Sequence, residues 1–244
     1  MKVIAVIPAR GGSKSLPRKN IVPLLGFPLI TYSIHVARHL HFVDEVIVSS
    51  DDEEILEISK QYGSDIIKRP VNISGDYSRD NELISHVKEV RKFADDDMVI
   101  FLRPSHPIRN PKTLQSAFEL FKKEYPNFDS LRSMKRSNEI IFKTWGFLPN
   151  GKIIPAFNPE LTDVPDPCNA PRQLLPPTFY QDGYVEIFPF KTVKHFLNLS
   201  GSKILPFIIE EYSNDIDVVE DLTQIENHLK SSIGPSWFTY PEKR

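Results

Sequence analysis

Two groups of residues in this sequence have the types and spacing to do chemistry. The first is Ile7–Asn20, IPARGGSKSLPRKN, where Arg10, Lys14, Arg18 and Lys19 put four positive charges within ten residues, around Gly11 and Gly12. Glycine lets the backbone approach a ligand closely or take a positive φ. Backbone N–H groups flanked by fixed cations suit the oxygens of a polyphosphate. The stretch is neither GxxxxGK followed by Ser or Thr, nor GxGxxG, so it matches neither of the common phosphate fingerprints. The second group is Asn214–Asp221, NDIDVVED. On an extended segment, Asp215 and Asp217 fall on one face. Two carboxylates there repel unless a cation sits between them, and a hard divalent ion such as Mg²⁺ meets that need. The same stretch also reads as an acidic helix start, because Glu220 and Asp221 follow.

Stepping along the chain, the elements that must hold these groups alternate. Lys2–Pro8 is a β-branched run ending at a proline, the mark of a buried strand, and it leads straight into the basic loop. Pro28–His39 carries apolar residues on one helical face. Glu45–Ser50 is a second strand, Asp52–Gln61 a helix with an acidic first turn, and Asp65–Lys68 a third strand stopped by Pro70. Arg79–Phe93 reads as helix, Asp97–Leu102 as a fourth strand, and Pro111–Tyr125 as a helix with proline in its first turn. Strands and helices alternating at this spacing predict right-handed βαβ units: a Rossmann-like, mostly parallel sheet with helices on both faces. Ligands of such sheets bind at the carboxyl ends of the strands, which is where the basic loop falls.

The middle of the chain is different. Nine of the 21 prolines lie between Pro149 and Pro189, and so dense a run fits neither a regular helix nor an inner strand. The expectation is one domain over 1–244, with 130–188 as a Pro-rich insertion carrying a small mixed sheet and serving in dimerisation. Ser202–Ile209 and Asn214–Asp217 read as strands, and Val218–Lys230 as a closing helix with Val218, Leu222, Ile225 and Leu229 at helical spacing.

Composition narrows the function classes. The 244 residues are 40% apolar and 25% charged, with a net charge of −2, which gives no global electrostatic reason to expect nucleic-acid binding. One cysteine, Cys168, excludes a disulfide framework and a Cys-based zinc site, and fits a reducing compartment. No apolar run reaches the ~18 residues of a membrane span. The N-terminus lacks the apolar core and cleavage site of a signal peptide. The expectation is a cytoplasmic globular protein that uses no membrane. No HExxH or GxSxG pattern supports a zinc protease or a serine hydrolase.

The loop ARGGSKSLPRKN after a first strand resembles the signature loop of the cytidylyltransferases that activate nine-carbon keto-sugars, the CMP-sialic acid synthetase family. Four further stretches match that family in order: Arg69-Pro70 leading to Ser74-Gly75-Asp76, Arg103–Arg109 (RPSHPIR), Pro171–Pro176 (PRQLLP) leading to Gln181–Ile187 (QDGYVEI), and Asn214–Asp221. The resemblance covers essentially the whole chain. It implies a nucleotidyltransferase fold of the GT-A-like kind, CTP and an acidic sugar as substrates, Mg²⁺ as cofactor, and a homodimer. It implies that Arg10, Gly11, Gly12, Ser13, Lys14, Asn20 and Arg69 bind the nucleotide. Arg10, Lys14 and Asp217 would serve catalysis, and Asp215 with Asp217 would hold the metal. Arg103, Arg109, Arg172, Gln173 and Asp182 would bind the sugar. Two positions depart from the family. Arg103 stands where relatives carry Gln, offering a fork for a carboxylate. Asp182 stands where they carry Asn, so it accepts hydrogen bonds where Asn also donates. Ser49, Ser50 and Asp51, at the end of the second strand, read as a structural turn. The competing readings are an activator of another sugar, such as an octulosonate, a DxD glycosyltransferase built on Asp215-Ile216-Asp217, and a non-catalytic nucleotide-binding homologue.

Overall fold

The computed structural model describes residues 1–231 and 235–243. Its strands are β1 (Val3–Pro8), β2 (Pro23–Leu24), β3 (Phe27–Pro28), β4 (Glu45–Ser50), β5 (Asp65–Lys68), β6 (Met98–Phe101), β7 (Ser130–Arg136), β8 (Trp145–Phe147), β9 (Ile153–Pro155), β10 (Phe179–Pro189) and β11 (Ile204–Ile208). Its helices are α1 (Ile30–Arg38), α2 (Glu53–Gln61), α3 (Asp80–Arg91), α4 (Pro111–Glu124), α5 (Phe190–Phe196) and α6 (Val219–Lys230).

Seven strands form the main sheet in the order β11-β7-β10-β6-β1-β4-β5. β1 pairs in parallel with both β4 and β6, and β4 pairs in parallel with β5. β10 joins β6 antiparallel, with Ile187 opposite Ile100. The expected mostly parallel sheet is present. β1 shows why it is central: Val3, Ala5 and Ile7 enter one core cluster while Ile4 and Val6 enter another, so both faces of the strand are buried. α1 and α4 cover the first face through Ile30, Ile34, Leu114 and Phe121. α3 and α5 cover the second through Leu83, Val87, Phe190 and Val193.

Local signals place the helix starts. Asp52 caps α2 by accepting from Ile55 N at 3.1 Å. Asn110 caps α4 through Lys112 N, with Pro111 at the first helical position.

The chain divides into two units, 1–133 with 182–244, and 134–181. The insertion is therefore narrower than the expected 130–188. Ser130–Ser133 and Asp182–Pro189 carry the main sheet instead, because Leu131, Val185, Ile187 and Phe188 are fully buried in its cores. The smaller unit holds a short hairpin in which Phe147 of β8 faces Ile153 of β9. Beside it, Phe142 is buried edge-on against Phe157, with ring centroids 5.0 Å apart.

The expected strand at 214–217 does not form. The segment is extended, but its ladder is a single bond from Ile216 N to Ser105 O at 2.9 Å. Ile216 alone is buried there, so one anchored side chain meets the period-two pattern without a strand.

Candidate active site

A cavity of about 520 Å³ opens in the larger unit, beyond the carboxyl ends of β1, β5 and β6. Six cationic side chains line it: Arg10, Lys14, Lys19, Arg69, Arg79 and Arg103. Three carboxylates, Asp76, Asp80 and Asp217, join them. A surplus of fixed positive charge over that volume suits an anionic ligand.

The basic loop is built against the end of β4. Gly11 N donates to Asp51 Oδ1 at 2.9 Å, and Asp52 packs so close that a β-carbon on Gly11 would sit 2.9 Å from the Asp52 β-carbon. Glycine is needed here for protein packing. Its N–H is spent on Asp51, so this amide is not part of an open cradle, contrary to the sequence expectation. Gly12 has open space around it, and neither glycine lines the cavity. Arg18 takes a positive φ of 59° and pairs with Asp52 and Glu54, away from the cavity. Asn20 holds the loop shut, its Nδ2 donating to Arg10 O at 2.8 Å. Ser13, Lys14 and Asn20 line the cavity.

Arg69 is buried beneath the same wall. Its Nη2 donates to Ser49 O at 2.6 Å and its Nε to Ser49 Oγ at 3.3 Å. Burial lowers its pKa from the ordinary arginine value. With Asp51 on Gly11 and Ser50 Oγ accepting from Asp52 N at 3.0 Å, the Ser49–Asp51 stretch is the structural turn that the sequence predicts.

The loop after β6 supplies Arg103, Pro104 and Ser105. Arg103 spends its fork on the protein: Nη2 lies 2.7 Å from Asp80 and Nη1 2.9 Å from the buried Glu186. Glu186 also meets Arg132 at 2.9 Å. The substrate carboxylate expected for Arg103 would have to compete with these two partners. Arg109 differs more sharply from the expectation of a sugar ligand. It is fully buried, absent from the cavity wall, and bonded to Tyr184 O at 2.7 Å, Ser33 Oγ at 2.9 Å, Arg103 O at 2.8 Å and His106 O. Burial pushes its pKa down to about 10, which leaves it charged at neutral pH. Its place is under the loop, as a positioning residue.

Of the acidic pair, Asp217 lines the cavity and lies 2.9 Å from Lys19 Nζ. Asp215 lies 3.5 Å from the buried His106 and is not on the cavity wall. The Asp221 carboxylate accepts from Asp217 N and Val218 N, both at 2.9 Å, which fixes this segment at the start of α6. Asp182 is buried, with Oδ1 accepting from Tyr184 N at 3.1 Å. The next residue, Gly183, has φ +78°, and a β-carbon there would meet His106 at 3.2 Å. Arg172 and Gln173 belong to the smaller unit, where they line a depression of about 320 Å³, and Arg172 Nη2 donates to Asn138 O at 2.9 Å.

Residue types alone did not single out Arg79 and Asp80 as wall residues, and Asp76 entered only within a stretch matching the family. The signal available was position: each follows β5, at the strand ends where such sheets bind ligands.

A family model described as cytidylyltransferase matches residues 4–147. The chain belongs to the cytidylyltransferase family. This cytidylyltransferase is 40% identical over 131 residues to the pseudaminic acid cytidylyltransferase of Campylobacter jejuni, covering 52% of this chain and 56% of that protein. It is 37% identical over 128 residues to the CMP-N,N'-diacetyllegionaminic acid synthase of Legionella pneumophila, covering 50% of this chain and 54% of that one. With the N-acylneuraminate cytidylyltransferase of Oncorhynchus mykiss the identity is 30% over 229 residues, 93% of this chain and 50% of that protein. The chain thus spans about half the length of these curated relatives. Among solved structures, a CMP:2-keto-3-deoxy-manno-octonic acid synthetase complexed with CTP superposes with a TM-score of 0.69 at 16% identity, covering 93% of this chain and 98% of that one. At that identity the likeness speaks for the fold, which is the nucleotidyltransferase fold that the sequence resemblance implied.

Proposed function

We propose that this cytidylyltransferase activates a nine-carbon 2-keto-3-deoxy sugar acid of the sialic, legionaminic or pseudaminic type: CTP + sugar acid → CMP-sugar + pyrophosphate. The observation that carries the reading is the cavity wall, where Arg10, Lys14, Lys19 and Asp217 converge beyond the end of β1 in a chain of this family. The named relatives, which act on pseudaminic, legionaminic and N-acylneuraminic acids, support the acceptor class.

In the reaction, the anomeric hydroxyl of the sugar attacks the α-phosphorus in line. The bond from that phosphorus to the bridging oxygen breaks, pyrophosphate leaves with the electron pair, and the hydroxyl proton passes to a carboxylate of the Asp215–Asp217 pair or to water. Such a displacement depends on positioning and on neutralising charge. Arg10 and Lys14 stabilise charge on the phosphates and the leaving group. Lys19, held 2.9 Å from Asp217, orients that carboxylate at the cavity wall. Arg69 fixes the end of β4 beside the nucleotide site.

Asp215 and Asp217 would hold Mg²⁺, Asp217 from the cavity wall beside Lys19 and Asp215 on leaving its place 3.5 Å from His106. Their carboxylate oxygens are the hard donors this ion prefers, and no group of three or more His, Cys, Asp or Glu ligands forms among the described residues. A site with two protein carboxylates completed by phosphate oxygens and water is ordinary for Mg²⁺. When bound, the ion supplies charge neutralisation at the phosphates. A homodimer belongs to the same proposal: the hairpin of the smaller unit exposes Trp145, Phe147, Ile153 and Ile154, more apolar surface than a short hairpin needs. So does a cytoplasmic setting, supported by the single free cysteine. Among the described residues, no helix is long and apolar enough to cross a membrane.

The test is pyrophosphate release with Mg²⁺, each of the four nucleoside triphosphates, and a panel of nonulosonic acids plus the octulosonate. Release only with CTP and a nine-carbon acid is expected. Release with the octulosonate alone, or CTP binding without any release, overturns the reading. Asp217→Ala should lower turnover by about 10²-fold or more while the far-UV spectrum and melting temperature stay close to wild type. Turnover near wild type at saturating Mg²⁺ removes Asp217 from the metal site.

A further inference from the structure

The stretch Ser74-Gly75-Asp76 brings a carboxylate to the two cations of the basic loop. It forms the tip of the loop between β5 and α3, at the mouth of the cavity. Asp76 Oδ2 lies 2.5 Å from Lys14 Nζ, and Asp76 Oδ1 lies 3.4 Å from Arg10 Nη1. Arg10 Nη1 also donates to Gly75 O at 2.9 Å. The two cations assigned to the phosphates thus share one carboxylate. The neighbouring acids are employed elsewhere: Asp80 on Arg103, Asp217 on Lys19, Asp51 on Gly11 N, and Asp52 on Arg18.

A carboxylate fixed in a polyphosphate cradle works against its ligand, because like charges at short range repel. Its presence makes sense if it holds the cations when the ligand is absent and gives them up when the ligand arrives. The surroundings allow that exchange. The side chains of Lys14, Arg10 and Asp76 are 80%, 37% and 37% exposed, so both pairs are screened by water and weakly held. The loop tip is not packed into a core: Tyr77 is exposed, and only Ser78 Oγ, at 3.8 Å, comes near the place of a β-carbon on Gly75. The hydrogen bond from Lys14 holds the Asp76 carboxyl below the usual carboxylate range, so it stays ionised at neutral pH.

We propose that Asp76 is an exchangeable counter-charge for the polyphosphate: it neutralises Arg10 and Lys14 in the free protein, yields them to the triphosphate, and competes for them again as pyrophosphate departs. This rests on the reading of the cavity as the CTP site. Asp76 is then a residue that tunes product release, without contact with the reacting atoms.

The experiment is calorimetric titration of pyrophosphate and of CTP, without added metal and with a chelator present, into wild type, Asp76→Asn, Asp76→Glu, Lys14→Ala and the double variant Asp76→Asn/Lys14→Ala. Asp76→Asn should bind pyrophosphate about three- to ten-fold tighter than wild type, as two weak surface pairs are lost from the competition. Asp76→Glu should stay within about twofold of wild type, and the gain from Asp76→Asn should shrink when it is measured against Lys14→Ala in place of wild type, the mark of direct coupling. In turnover assays Asp76→Asn should show a correspondingly lower inhibition constant for pyrophosphate. Pyrophosphate binding to Asp76→Asn that is unchanged or weaker overturns the proposal while leaving the CTP reading intact. Wild type that binds neither CTP nor pyrophosphate overturns both.

Discussion

Arg10 and Lys14, on the loop after β1, keep their charges at the edge of water and share the single carboxylate of Asp76. Arg109, on the loop after β6, is fully buried, and its hydrogen bonds run to three backbone carbonyls and one hydroxyl. Both loops reach the same cavity wall, one through Arg10 and Lys14, the other through Arg103–Ser105. An exposed cation in a weak pair contributes little to folding and is free to change partners. A buried cation with four hydrogen bonds to the protein contributes shape, and removing it leaves several carbonyls unpaired. The first loop is therefore suited to binding, and the second to holding its wall in place.

The largest effect that sharpens this contrast is at Arg109. Arg109→Lys keeps the charge but loses the planar fork that spans Tyr184, Ser33, His106 and Arg103. Several hydrogen bonds to a charged group are lost or distorted, at about 1.5–3 kcal/mol each when a partner is left unsatisfied. The expected destabilisation is about 3 kcal/mol, read as a fall of about 6–12 °C in melting temperature for a chain of this size. A melting temperature within about 2 °C of wild type would make Arg109 an ordinary, replaceable cation and dissolve the contrast.

That contrast also marks where the sequence is legible. β1, β4 and β6 declare themselves because a strand buried on both faces reads as a near-continuous apolar run, whereas β5, at the sheet edge with only Ile67 buried, is marked by its isoleucine pair and the Pro70 stop. α4 is bounded by Asn110 and Pro111, whose chemistry is local. The location of the basic loop follows from strand order. Exposure of individual side chains is not local. Arg10 and Arg109 are the same residue type, each on a loop after a parallel strand, and only the packing of Tyr184, Ser33 and the 103–106 carbonyls decides that Arg109 is inside. Gly11 likewise looks like a glycine for a ligand, and its constraint comes from Asp52, 41 positions along. The 214–217 segment misleads for a related reason: burial of Ile216 gives a strand's alternation without a strand's partners.

The middle-sized effect is at Lys14, where binding and stability should separate. Its side chain is 80% exposed and its salt bridge among the described residues goes to Asp76. Lys14→Ala should change unfolding free energy by no more than about 0.5 kcal/mol in denaturant titration, the range of surface substitutions. The same variant should weaken CTP about tenfold, with a shallower dependence on salt, because one phosphate-facing charge is gone. Arg109→Lys should show the reverse order, a large loss of stability with a small change in the CTP affinity of the folded fraction. If Lys14→Ala destabilises as much as Arg109→Lys, the first loop is not the pliable one.

The smallest effect reaches the buried loop from behind. Pro107, Arg109 and Pro111 line a cavity of about 230 Å³ together with Trp237, Phe238 and Thr239 of the C-terminal segment and with His35 of α1. His35 is buried, with Nε2 2.8 Å from Thr239 Oγ1 and its ring 4.4 Å from that of His39. Burial is the main cause that lowers its pKa, and the charges of His39 and Arg38 add to it while Glu242 opposes. The folded protein therefore favours the neutral ring, whereas the unfolded chain takes a proton near the ordinary value of about 6.5. Below that pH the unfolded state binds more protons, so stability falls as pH falls, and above about pH 7.5 this group adds no slope. The expected loss between pH 7 and pH 5 is below about 1 kcal/mol, or about 2–4 °C in melting temperature. His35→Gln, which keeps a partner for Thr239 but does not titrate, should flatten that part of the profile, while Lys14→Ala should leave it as in wild type. A His35→Gln profile as steep as wild type would mean that the acid sensitivity arises elsewhere, for instance in Asp76 and Asp52, the carboxylates that pair with the cations of the first loop, and the pH response would then belong to the binding loop's ion pairs.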